Sequence, residues 1–230
     1  MATRLYFHDA SNDQSGTYPS GRQGSTGFAS SVTDATGSGT LKKMNTVIGV
    51  SQASSGFSSA ANQVTQRFFM RFWVSPPLNG NQTVGGGNYS LNYAHEESNT
   101  NMNLFTAATY IYVWRPSTGS VVGEVKSTLV AGVIVGTEPG AASSERAWHQ
   151  SGISSSSVSA QDGDVIIVEL YWQFVQGMSS SYTGTLYYDG TTANTTDNAT
   201  VSNHASFIEF AENLVFQSFN KKGEFFKIIE

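Results

Sequence analysis

Between Asp162 and Phe174 the chain alternates with a period of two. Ile166, Val168, Leu170, Trp172 and Phe174 fall on one side of an extended backbone, and Val165, Ile167, Glu169, Tyr171 and Gln173 fall on the other. One face is wholly apolar and the other mixed, the pattern of a strand inside a sandwich. The period recurs at 64–75, where Val64, Phe68, Met70, Phe72 and Val74 oppose Arg67, Phe69, Arg71 and Trp73. Pro76-Pro77 closes that segment, since proline offers no amide hydrogen to a ladder. Gly85-Gly86-Gly87 turns into 88–95, with Tyr89, Leu91 and Tyr93 on one face.

Further strands are predicted at 4–8, 104–115, 120–135, 182–188 and 206–216, the last with Ile208, Phe210, Leu214 and Phe216 aligned. Residues 41–50 and 145–153 carry weaker versions of the pattern. No long segment has helical periodicity. About eight to ten strands separated by Gly, Ser and Asn turns predict an all-β fold, a two-sheet β-sandwich of jelly-roll type. An extended N-terminal arm lies within 1–40, the sandwich spans 41–216, and 217–230 forms a short C-terminal tail that is both charged and apolar. Residues 9–40 are rich in Ser, Gly, Thr, Asp and Asn, and read as a long arm or surface loop.

Composition narrows the functional classes. A single domain of 230 residues buries enough surface to fold without staples, and the chain has no cysteine. Disulfide scaffolds, thiol nucleophiles, iron–sulfur clusters and cysteine-based zinc sites are thereby excluded. Only 13% of residues are charged, about half the usual share. The polar surface is built instead from hydroxyls and amides, which suit tight protein–protein packing. A net charge of −5 argues against nucleic acid as a partner. The first residues lack the basic-then-apolar pattern of a secretory signal, and no apolar run is long enough to span a membrane. The sequons at Asn81, Asn88, Asn194 and Asn198 are therefore read as products of composition.

Candidate chemistry is sparse. His8, His95, His149 and His204 are scattered without HxH, HxxxH or HExxH spacing. His95-Glu96-Glu97 is the densest group of possible ligands and reads as a strand end rather than a metal site. Asp162-Gly163-Asp164 offers oxygens to calcium but reads better as a turn. No Gly-X-Ser-X-Gly elbow or phosphate-binding loop is found. Glu169 and Glu209 both sit on predicted strands and would need to lie about 5–10 Å apart to hydrolyse glycosides. Arg67, Phe69, Arg71 and Trp73 share a face that would suit stacking on single strands, but the acidic balance favours a plain sheet surface. Tyr89, Tyr93, Trp148 and Tyr171 are candidates for a platform under sugar rings. No catalytic residue, metal ligand or cofactor is assigned, and the chain is expected not to be an enzyme.

Three segments carry a resemblance: Met1-Ala-Thr-Arg-Leu-Tyr-Phe-His8, Ser15-Gly-Thr-Tyr-Pro-Ser-Gly21 and Val113-Trp-Arg-Pro-Ser-Thr-Gly119. They resemble uncharacterised proteins encoded by bacteriophages and environmental viruses, a class that includes jelly-roll head-decoration (cement) proteins. The resemblance touches roughly half the chain. It implies a virion protein made in the host cytoplasm, with the major capsid protein and neighbouring copies of itself as partners, often as a trimer. It implies neither nucleic acid nor membrane. In this reading Tyr18 and Phe28 on the arm, and Phe225, Phe226, Ile228 and Ile229 on the tail, contact neighbouring subunits. The alternative is a glycan-binding module of a tail or host-adhesion apparatus.

Overall fold

The computed structural model describes residues 2–20, 32–34, 40–58, 66–99, 104–127, 144–174 and 180–218. Within them the chain is all-β, with fourteen strands and no helix. In chain order these are β1 (Thr3–Ser11), β2 (Val32–Asp34), β3 (Lys42–Asn45), β4 (Ala53–Ser58), β5 (Gln66–Val74), β6 (Gln82–Val84) and β7 (Asn88–Glu97). Then come β8 (Leu104–Arg115), β9 (Ser120–Ser127), β10 (Arg146–Ser154), β11 (Val158–Ala160), β12 (Val165–Phe174), β13 (Thr183–Tyr188) and β14 (Phe207–Phe210).

Twelve strands form one hydrogen-bonded sheet in the order β4-β13-β7-β14-β1-β3-β5-β12-β8-β9, with β10 added to β7 and β2 to β5. A separate two-stranded sheet joins β6 and β11. The large sheet folds over on itself as a β-sandwich. The short strand β3 joins its halves: Met44 sits opposite Phe7 of β1, while Lys42 pairs in parallel with Trp73 of β5.

The main core fills the space between the halves. Leu5, Phe7, Tyr89, Leu91, Tyr93, Trp148, Leu186, Tyr188, Ile208 and Phe210 come from one half. Trp73, Ile111, Val113, Ile166, Val168 and Leu170 meet them from the other. Phe7 stacks on Trp73 with ring centres 4.4 Å apart, and Tyr188 meets the same indole edge-on at 5.7 Å. Burying side chains of this size contributes about 1.5–3 kcal/mol each.

The expected alternation on β12 holds from Val165 to Tyr171, yet its mixed face is also buried there, and the side chains of 172–174 lie outside the described ones. Val165, Ile167 and Tyr171 join Phe72, Val74, Tyr110, Tyr112, Trp114 and Leu41 in a second apolar cluster on the reverse side of β5, β12 and β8. The N-terminal arm helps to cover it. Thr17 O accepts from Trp114 Nε1 (2.7 Å), Gln14 Nε2 donates to Ser75 O (3.0 Å), and Tyr18 packs against the cluster. The part of the arm that is described thus docks on its own sheet.

β5 departs from expectation in the same way. Phe72 and Val74 belong to the second cluster, and Trp73, placed with the arginines on a surface, is buried in the main core. A register shift in β5 opposite Leu170 and Tyr171 accompanies this change.

Candidate functional site

Four groups of polar side chains stand out among the described residues, and three of them hold elements together. The first surrounds Glu169, which is completely buried. Tyr112 donates to its Oε1 at 2.9 Å and Tyr171 to its Oε2 at 2.5 Å. Each oxygen thus receives a phenol, an arrangement suited to an ionised carboxylate. Burial first, and then the Glu169 carboxylate, push the Tyr112 phenol far up. Glu209 lies elsewhere, on β14 beside Arg4 (2.7 Å), on the outward side of the opposite half. The two glutamates expected to share a groove are separated by the core.

The second group is a turn. Both oxygens of buried Asp164 accept from Arg115 at 2.8 Å, and one also accepts from Gln161 N. Asp162 Oδ1 accepts from Gly80 N and Gln217 Nε2. These oxygens are committed to closing a turn, the reading that the Asp-Gly-Asp sequence favoured over calcium. Among the described residues, no three His, Asp or Glu side chains are placed to hold a metal. In particular, the alternation of β7 sends Glu96 to the face opposite His95 and Glu97.

The third group resembles a catalytic base with its orienting acid. His8 Nδ1 meets Asp189 Oδ1 at 2.7 Å. Its Nε2, where a nucleophile would sit, faces Asn45 Oδ1 and Val47 O, both at 3.0 Å. Two carbonyl oxygens are acceptors, so no hydroxyl is activated there.

The fourth group is the candidate site. After Tyr188 the chain leaves β13 and runs as a strap, residues 189–206, over the outward side of β7 before re-entering at β14. Its legs pair through Thr191 N to Asn203 O (3.0 Å) and Ala205 N to Thr192 O (2.9 Å). Its far end reaches the outer edge of β10: Ala147 N donates to Ala199 O (2.9 Å), Asn198 N to Ala147 O (2.8 Å) and Val201 N to Glu145 O (3.0 Å). Asn198 and Asn203 turn it with φ of 58° and 53°, a left-handed conformation that Asn tolerates. Gly190 is required for space, because a Cβ there would collide with the backbone of Asn203 and His204.

Beneath the strap lie outward-facing Asn92 and Ala94 of β7, both fully buried. Asn92 Nδ2 lies 3.0 Å from Nε2 of His204, which is also fully buried. The remaining polar atoms of this pair, Asn92 Oδ1 and His204 Nδ1, have no hydrogen-bond partner, nor does the buried Nδ1 of neighbouring His149. Burial and then the proximity of His149 hold His204 at about 4. Further along, Glu145 accepts from Gln52 (2.6 Å), and burial raises it above the usual carboxylate range. Nearby Glu96 accepts from Tyr187 OH at 2.5 Å. Thr192, Asn194, Thr200, Val201 and Ser202 line a cleft of roughly 420 Å³ on the strap. Its hydroxyls and amide can bind neutral polar groups; it presents no nucleophile–base pair.

The sugar-platform expectation is overturned: Tyr89, Tyr93, Trp148 and Tyr171 are all core residues with at most 2% exposure. Tyr93 and Trp148 stack on each other at 4.8 Å inside the sandwich. Of the residues expected to contact partners, Tyr18 is half-buried on its own chain's second cluster. Phe28, Phe225, Phe226, Ile228 and Ile229 lie outside the described residues. The strap cluster was not anticipated, because Asn92, His149 and His204 are joined only by the sheet and the crossing loop. The one sequence signal was a histidine inside a Thr/Asn-rich loop.

No protein-family model matches the chain, and no curated protein matches it. Among solved structures, a CocE/NonD family hydrolase from Staphylococcus aureus aligns with a TM-score of 0.41 at 11% identity, over 94% of this chain and 36% of that one. The chain therefore spans about a third of that hydrolase's length. A second structure of the same hydrolase gives a TM-score of 0.27 at 14% identity, covering 93% and 35%. The structure of the infectious bursal disease virus Gx strain aligns at 0.21 and 10% identity, covering 81% of this chain and 47% of that one. Likenesses this slight carry neither an activity nor a role to this chain.

Proposed function

We propose that this protein is a structural subunit of a phage virion, a decoration protein that binds the assembled head and stabilises it. The observation that supports this reading most is that the sandwich is clamped on both outward sides by its own chain. The arm covers β5, β12 and β8, and the strap covers β7 and β10. A third stitch holds the C-terminal segment: Asn79 N donates to Val215 O (2.9 Å), Val215 N to Gln82 Oε1 (2.8 Å) and Gln217 N to Pro77 O (2.8 Å). Such a body suits a part that must keep its shape under load. Its charge-poor surface of hydroxyls and amides suits packing against other subunits.

Association in this reading is by burial, and contact with the major capsid protein and neighbouring copies is assigned to the C-terminal tail, 217–230. The test is mass spectrometry of purified particles combined with a truncation ending at Ser218, which leaves every described stitch in place. The full chain should be present on heads, and the truncated chain should fold but bind them weakly. Absence of the full chain from particles would sink the proposal; undiminished binding after truncation would remove the tail's role.

Among the described residues, the glycan reading is supported by the strap cleft, whose Thr192, Asn194, Thr200 and Ser202 offer hydrogen bonds to a polyol. A glycan array without hits would remove it.

A further inference from the structure

We propose that the strap, residues 189–206, is an acid-opened clasp over the outer edge of β10, released when buried His204 and its neighbour His149 take up protons. The argument begins with unmet hydrogen bonds. Asn92 and His204 satisfy each other through one contact of 3.0 Å, and whichever way the amide is turned, Asn92 Oδ1 or its exchanged nitrogen faces no partner. His204 Nδ1 and His149 Nδ1 are likewise buried and unmet. A closed clasp therefore holds polar atoms that would gain partners from water on opening. Its two ends are anchored to β1 through Asp189 and Ser206, and its far end is held on β10 by a few main-chain bonds to Glu145 and Ala147, by Asp197 Oδ1 accepting from His149 N (3.1 Å), and by Arg146 Nη1 donating to Asn198 O (3.3 Å).

The charged surroundings do not favour an imidazolium at His204. From β10, His149 is the group that acts on it, and a second positive charge there repels the first. The Glu145 carboxylate accepts from the His204 backbone N–H, and Glu96 adds its charge nearer to Glu145. His149 itself is lowered chiefly by burial, against the opposing influence of Asp197 on the strap and Glu209 on β14, while Arg4 on β1 lowers it further.

The sign follows from linkage. The closed clasp favours neutral rings and the open one lets them ionise near the ordinary value of about 6.5. Closure is strongest above that value, weakens as pH falls through it, and stops changing below about 4, where His204 ionises in place. For His204 alone, the open fraction should rise about 25-fold between pH 7.5 and pH 5. Opening would unpair Glu145 O and both main-chain groups of Ala147, leaving a strand edge bare.

Hydrogen exchange of the full chain, corrected for intrinsic rates, tests this. Amides of 189–206 should lose protection at pH 5 by that factor while those of β12 keep theirs, and His204→Gln should remove most of the difference. A strap whose protection does not change, a strap and β12 that loosen together, or a His204→Gln protein that keeps the full response would each overturn the proposal. If that variant does not fold, the wild-type titration by NMR decides instead. The His204 and His149 rings and the strap amides should then shift together, and strap amides that move independently of both rings refute it.

Discussion

Replacing Tyr112 by Phe removes one of the two phenols that hold Glu169, with almost no change in volume. Glu169 has no exposure to water, so its Oε1 loses the 2.9 Å donor with no solvent to replace it. A hydrogen bond to a charged group contributes about 1.5–3 kcal/mol, and the group left behind stays desolvated. The expected loss is therefore about 2 kcal/mol, a drop in melting temperature of roughly 4–8 °C for a chain of this length. Tyr171→Phe, which removes the 2.5 Å donor, should cost a similar amount. The two costs should not simply add, because both phenols act on one carboxylate.

The decisive comparison is the triple variant Glu169→Leu, Tyr112→Phe, Tyr171→Phe. Removing the charge along with its donors should recover most of the stability, since an apolar replacement of a buried polar group is often close to neutral. Equilibrium unfolding in urea measures the four variants against wild type. A single Tyr112→Phe change within about 0.5 kcal/mol of wild type, or a triple variant no more stable than the double, would refute this account of the cluster.

Other substitutions probe other layers. Trp73→Ala empties the place where Phe7 and Tyr188 converge and should destabilise by about 3–5 kcal/mol, measured by the same unfolding. Gly190→Ala drives a methyl into the backbone of Asn203 and His204; the strap should become the first site of limited proteolysis while the melting temperature falls little. At alkaline pH, Tyr188, which burial pushes up to about 12, favours the folded phenol. Stability from this residue is fully present below pH 10 and declines as pH rises through about 12, so a Tyr188→Phe protein should show a shallower loss in unfolding followed over that range.

Much of the fold was legible because the strands announce themselves. β7, β8, β12 and β13 coincide with runs of alternating aromatic and branched residues, and β5 ends at Val74, one residue short of Pro76-Pro77. β4 was missed for a physical reason: Ala53-Ser-Ser-Gly-Phe-Ser58 has little intrinsic preference for a strand and is held by its ladder to β13. β6 and β11, three residues each, are likewise made by pairing with each other. The double burial of β12 was hidden because a Glu among Val, Ile and Tyr reads as a wet face until its two phenols are in place. The strap cluster was hidden because Asn92, His149 and His204 are brought together only by the pairing of β7 with β10 and a loop that crosses both.

The pairing of Thr3 with Phe210 and of Tyr6 with Phe207 brings the first strand beside the last. During synthesis, at about 5–20 residues per second, β1 emerges roughly 10–40 s before β14 can reach it. Until then only β3 is available on its other side, and Leu5 and Phe7 must wait with their core unfinished. The sandwich is therefore completed only once β14 has emerged, and the interval before it arrives is when this chain is most exposed to aggregation or to capture by a chaperone.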